Sequence, residues 1–196
     1  LAAVHPGSGM YNPVWSNDGS RFAFVRGAAE GVSVVDLITG AETQVSSLGY
    51  ETVVGWLPDD SRLIIAAMYT GGAARQIRSI NPQTGEYEEL FIVENASAKA
   101  INAALSPDGQ WMVYRGRDNG SVNMVRLDGS DERLLLDSMA MGVSGIAWSR
   151  SGWMGVSMQK EYNQTAQRVV LIDPQDCTVY HLPGVTGTLT GLFIQE

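Results

Sequence analysis

Cysteine, histidine and basic charge are scarce in this chain of 196 residues, and each shortage removes a class of function. The single cysteine, Cys177, excludes an internal disulfide. With only two histidines, His5 and His181, it also excludes a structural zinc site, which takes four Cys or His ligands. The net charge of -8 argues against a nucleic-acid or anionic-membrane partner, because phosphate binding is driven by clustered Lys and Arg. No apolar run approaches the roughly 20 residues that would span a bilayer, so membrane insertion is not expected. No G-x-S-x-G, H-E-x-x-H or G-x-x-x-x-G-K segment is present, and catalysis, metal and cofactor are all unexpected within these residues. The chain opens Leu1-Ala2-Ala3-Val4 and reads as a processed chain or an excised fragment.

What is present is repetition. Hydrophobic residues make up 44% of the chain, enough for a core, and 22 glycines against 7 prolines point to many turns. A large apolar residue runs four times into a short polar turn and then into an apolar strand. The copies are Val14-Trp15-Ser16-Asn17-Asp18-Gly19-Ser20-Arg21, Gly55-Trp56-Leu57-Pro58-Asp59-Asp60-Ser61-Arg62, Ala104-Leu105-Ser106-Pro107-Asp108-Gly109-Gln110-Trp111 and Ala147-Trp148-Ser149-Arg150-Ser151-Gly152-Trp153-Met154. The anchors Trp15, Trp56, Leu105 and Trp148 lie 41, 49 and 43 residues apart. A second marker keeps the same phase: Val35-Asp36-Leu37-Ile38-Thr39-Gly40, Ile80-Asn81-Pro82-Gln83-Thr84-Gly85, Leu127-Asp128-Gly129 and Ile172-Asp173-Pro174. Two markers in register four times define a repeat architecture.

Each repeat reads as four short strands in an antiparallel meander. In the first, strands are predicted over 10–15, 21–25, 32–37 and 42–46, with a Gly/Ala loop over 27–31. Leu63-Ile64-Ile65-Ala66-Ala67-Met68-Tyr69 and Val169-Val170-Leu171-Ile172 lack polar alternation, so both faces must be covered. Radially stacked four-stranded sheets supply that cover. The expected fold is therefore all-β, a β-propeller of four complete blades. Repeats fall at about 10–48, 49–93, 97–137 and 142–183, with a partial fifth over 186–196. The segment Thr188–Ile194 mirrors Gly142–Trp148, which makes the whole a single domain, or a fragment of a larger propeller with six blades in view.

The turn and the V-D-L-x-T-G element together resemble the TolB-like, WD-repeat-like propeller family. Ser106-Pro107-Asp108-Gly109 matches its turn fully, and Val35-Asp36-Leu37 with Thr39-Gly40 matches its second element. Asp60 in place of Gly, and Ser151 in place of Asp, depart from the pattern. The resemblance implies bacterial, extracytoplasmic or periplasmic binding platforms, or propellers attached to hydrolases. It implies no single activity.

Three sets of residues invite a functional reading. Asp18, Asp59, Asp60 and Asp108 could be taken for a calcium or acid–base set, but each sits on its own tight turn, where Asp bonds the backbone two residues on. Trp15, Trp56 and Trp148 are expected between blades as packing, while Trp111 and Trp153 are the residues through which a carbohydrate would have to bind. Arg26 and Arg115 end equivalent strands, with Lys160 close to the same place. With Tyr69, Arg75, Arg117 and Tyr162 in neighbouring loops, they form the expected partner-binding surface for an acidic segment.

The function these readings favour is a non-catalytic scaffold holding a protein or peptide partner through loops on one face. The rival is the substrate-gating propeller of a larger serine hydrolase resembling the prolyl-oligopeptidase family, with its nucleophile in another domain.

Overall fold

The computed structural model describes residues 10–68, 74–94, 102–118, 120–137, 142–160 and 163–182. They form two compact units, Leu1–Glu94 and Asn95–Glu196, each of two blades. In the first unit, blade 1 comprises β1 (Met10–Trp15), β2 (Arg21–Arg26), β3 (Val32–Asp36) and β4 (Glu42–Ser46). Blade 2 comprises β5 (Thr52–Trp56), β6 (Leu63–Met68), β7 (Arg75–Ile80) and β8 (Tyr87–Val93). In the second unit, blade 3 holds β9 (Ala103–Leu105), β10 (Trp111–Arg115), β11 (Ser121–Arg126) and β12 (Arg133–Asp137). Blade 4 holds β13 (Gly142–Trp148), β14 (Met154–Lys160), β15 (Asn163–Asp173) and β16 (Thr178–His181).

Every blade is an antiparallel meander with its strands in chain order. The Gly/Ala loop expected over 27–31 is instead a single helical turn, α1 (Gly27–Glu30), closed by the Arg26 N–H on the Gly31 carbonyl. The strand of the fifth repeat, 188–194, lies outside the described residues.

The uninterrupted apolar strands are buried as their composition demands. Leu63 to Ala67 of β6 are all buried, as are Val169, Val170 and Ile172 of β15, while Leu171 between them is half-buried. Within unit 1 the core joins Val25, Val32 and Val34 of blade 1 to Val53, Trp56 and Ile65 of blade 2. Within unit 2 it joins Val113, Val122 and Met124 to Val143, Met154 and Val156. Blades thus share their cores in pairs, which is why a central strand has no solvent face.

In three of the four blades the turn after the anchor is held by the serine that follows it; in blade 2 that place is taken by Leu57. Ser16 Oγ accepts the Arg21 N–H at 2.9 Å and donates to Asp18 at 2.7 Å. Ser106 and Ser149 do the same for the Trp111 and Trp153 N–H groups, at 2.9 and 3.0 Å. All three serines are buried, so the hydroxyl satisfies a strand-end donor that water cannot reach. Gly19, Gly109 and Gly152 adopt φ of 70, 70 and 91° at the tightest point of their turns. Asp60 occupies the same position with φ 55°, a left-handed conformation that disfavours a side chain.

Candidate functional site

Two of the strand-end cations singled out in the sequence, Arg26 and Arg115, are already engaged. Arg26, at the end of β2, is ion-paired and hydrogen-bonded to Glu42 of β4 and lies 5.9 Å from the Phe24 ring. Arg115, at the end of β10, donates to the Val143 carbonyl at 3.0 Å, tying blade 3 to blade 4. Arg75 stands in β7 opposite Met68 and is 3% exposed. Burial pulls the Arg75 and Arg115 guanidinium pKa values down. Arg117 is exposed in the turn after β10. Lys160 ends β14 opposite Asn163, but its side chain, and the whole of Tyr69 and Tyr162, lie outside the described residues.

The aspartates of the turns behave as turn formers with one exception. Asp18, Asp59 and Asp108 accept the N–H groups of Ser20, Ser61 and Gln110 at 2.9, 3.1 and 3.0 Å. The Ser16 hydroxyl, followed by the Ser20 N–H and hydroxyl, holds the Asp18 carboxyl down to about 2. The exception is Asp60. Its Oδ1 accepts the Asn17 backbone N–H at 2.7 Å and the Asn17 carboxamide at 2.8 Å, and its Oδ2 accepts the Asp18 N–H at 2.8 Å. Arg21 completes the contact by donating to the Asp60 carbonyl at 2.9 Å with its guanidinium 4.8 Å from the Trp56 ring. The substitution that breaks the repeat at Asp60 therefore fastens blade 2 to blade 1.

The anchor tryptophans divide according to what precedes them. Trp56 is 5% exposed and donates its indole N–H to Val14 of the preceding blade at 3.0 Å. Trp148 is half-buried and reaches Ala104 of blade 3 at 3.4 Å in the same way. Trp15, expected between blades, is 60% exposed with its ring 5.7 Å from Phe22. No described blade precedes it in its unit, so the space its equivalents fill has only one wall.

In unit 2 the place of the Asp60 fastening is open. The equivalent of Asp60 is Gly152, around which nothing lies within 4 Å of where a Cβ would stand. The equivalents of Asn17 and Arg21 are Pro107, which has no N–H, and Trp111. The result is a groove of about 410 Å³ between blades 3 and 4, lined by Pro107, Asp108, Trp111, Trp148, Arg133 and Arg150, among others. Arg126 and Arg133 approach the Trp111 ring to 4.6 and 5.2 Å, and Arg133 is also ion-paired with Asp131. That bond from Arg133 holds the Asp131 carboxyl below the usual range. Arg150 is exposed and has no ion-pair partner among the described residues.

The groove joins an apolar floor of tryptophan and proline to a cationic edge. Among the described residues no three His, Cys, Asp or Glu side chains converge as metal ligands. His181 and Cys177 are both exposed, on β16 and in the turn before it. Trp153 packs its ring 5.5 Å from Tyr180. Sequence reasoning passed over Arg133, Arg150 and the pairing of Asp60 with Asn17. The available signal was Asp at a glycine position in one repeat and Pro107 with Gly152 in the other pair.

No protein-family model matches the chain, and no curated protein matches it. Among solved structures it is similar to a putative TolB from Agrobacterium tumefaciens, with a TM-score of 0.70 and 21% identity over 92% of this chain and 68% of that one. It is also similar to the β-propeller domain of Myceliophteria thermophila Cps50 (Swd1), with a TM-score of 0.68 and 14% identity over 97% of this chain and 60% of that one. A prolyl endopeptidase matches with a TM-score of 0.61 and 20% identity over 88% of this chain, which spans 28% of that enzyme's length. In fold, the described residues are four four-stranded antiparallel blades of the β-propeller kind seen in TolB and WD-repeat proteins.

Proposed function

We propose that the chain is a non-catalytic binding scaffold that takes a peptide or protein segment at one end of its blades. The observation that carries this reading is the groove between blades 3 and 4, where Trp111 and Trp148 stand beside Arg133 and Arg150. Rings and guanidinium groups are the side chains on which partner segments most often anchor. The β framework beneath them is hydrogen-bonded throughout, so little order is lost on binding. Arg117 is a second proposed contact at the other end of blade 3, while Arg26, Arg75 and Arg115 serve the framework. An extracytoplasmic location is part of this proposal, and the likeness to TolB is what supports it.

Panning a random peptide library against the whole chain tests this. Enriched peptides are expected to lose at least ten-fold in affinity for an Arg150→Glu/Gln175→Trp variant and to keep it for Arg117→Glu. Enrichment no better than on an unrelated propeller, or equal binding to both variants, would refute the reading.

A second reading is favoured by the likeness to a prolyl endopeptidase: a propeller that screens access to a hydrolase domain. The gene's flanking sequence decides it. A G-x-S-x-G segment on a strand–turn–helix would support the hydrolase, and further blade repeats followed by a stop codon would exclude it.

A further inference from the structure

Unit 1 carries, at the position of the groove, a covalently attached occupant. Asp60 places a carboxylate between two blade turns, and that carboxylate is met by the Asn17 and Asp18 N–H groups and the Asn17 carboxamide. The same four-residue turn recurs in blades 3 and 4, and the glycine hydrogen bond that shapes it recurs as well. Gly19 to Ser16, Asp60 to Leu57, Gly109 to Ser106 and Gly152 to Ser149 are all N–H to carbonyl bonds of 2.8 to 3.2 Å. The interblade tryptophan bond recurs too, Trp56 to Val14 and Trp148 to Ala104. The backbone around the groove is therefore the backbone that holds Asp60, with the carboxylate taken away.

We propose that the groove between blades 3 and 4 recognises an Asp or Glu side chain on a partner segment, seated as Asp60 is seated in unit 1. This rests on the reading of the groove as the partner site and adds the chemistry of what enters it. The Asp108 N–H, equivalent to the Asp18 N–H that Asp60 accepts, has no partner among the described residues. Pro107 removes the donors that Asn17 supplies, and Arg150 replaces them with a guanidinium, a stronger match for a carboxylate. Asp108 does not oppose the ligand. Its own carboxylate is turned back onto Ser106 and Gln110, just as Asp18, tied to Ser16 and Ser20, tolerates Asp60 alongside. Trp111 and Trp148 then cover the residues flanking the acid.

The test uses the chain's own occupant as probe. A capped octapeptide copying residues 55–62 is titrated into the full chain while amide and indole N–H shifts are followed by NMR. A second peptide has Asn at the places of both Asp59 and Asp60. The expected result is saturable movement of the Asp108 amide and the Trp148 indole, with the Asn peptide at least ten-fold weaker. Gly152→Asp, which supplies the carboxylate internally, should abolish the response, and Arg150→Glu should weaken it at least ten-fold with the fold intact. A third peptide, acetylated at its N-terminus, with Asn at both Asp positions and a free C-terminal carboxylate, should be no better than the Asn peptide. Equal affinity for the Asp and Asn peptides overturns the carboxylate while leaving a peptide groove in place. No shift at Asp108 with either peptide overturns the site.

Discussion

The indole N–H of Trp56 donates to the carbonyl of Val14 across 42 residues of sequence, at 3.0 Å. The same atom pair recurs between Trp148 and Ala104. One polar bond, repeated at each described blade junction within a unit, ties the anchor ring to the preceding blade.

Trp56→Phe should therefore cost about 1–2 kcal/mol, since it removes the donor but keeps most of the ring's burial. Trp56→Ala should cost about 3–5 kcal/mol. Trp15→Ala, at an anchor that is 60% exposed, should cost under about 1 kcal/mol. Urea denaturation midpoints read at constant slope check all three, and equal costs at Trp15 and Trp56 would contradict the asymmetry.

Asp60→Gly restores the repeat's favoured residue and yet should destabilise the chain. The gain is relief of a left-handed side-chain residue, about 1–2 kcal/mol. The loss is three hydrogen bonds to a carboxylate, each worth about 1.5–3 kcal/mol, and the loss wins. Calorimetry should show a lowered melting temperature, and a raised one would mean the fastening contributes nothing.

Glu51 gives a pH dependence with a definite sign. Burial pushes its carboxyl above the ordinary 4.5, against the opposing effects of the Ser46 hydroxyl, the Leu48 backbone and Arg78. Its Oε2 has no partner among the described residues. A raised acid pKa means the folded state holds the proton longer than the unfolded one, so stability falls as pH climbs from 4.5 through the folded value. Glu51→Gln should match wild type below pH 4.5 and exceed it above that window. Denaturation midpoints at both ends of the window test it, and a variant weaker than wild type at neutral pH would reverse the sign.

Tyr114 does the same at the alkaline end. Its side chain is wholly buried and donates to Glu132, and burial followed by that carboxylate raises the phenol well above the ordinary 10.0. Stability should decline as pH passes 10, because only the unfolded chain ionises there. Tyr114→Phe should flatten this decline while costing about 1 kcal/mol at neutral pH. An unchanged alkaline limb in the variant would assign the decline to other tyrosines.

The repeat made the fold legible, because each blade is built from local patterns: a turn, an apolar run, a second turn. Leu63 to Ala67 could be read as covered on both sides from composition alone, and the structure buries every one. Long-range pairings were not legible. Arg26 looked like a free rim cation until strand register brought Glu42 beside it. Asp60 looked like a flaw in its own turn, because its partners lie 42 and 43 residues away. Trp15 and Trp56 are the same letter at the same repeat position, and their burial differs because a neighbour, absent from the local pattern, decides it.

Cys177 gives the open groove a practical consequence. It is the chain's sole thiol, it is exposed, and it sits two residues beyond the groove-lining Gln175. A thiol-reactive dye added to the unmodified chain therefore attaches at one place, beside the groove, with no engineered labelling site. Under the proposed function, its emission serves as an occupancy gauge for the groove, and candidate binders can be ranked against it before any one of them has a name.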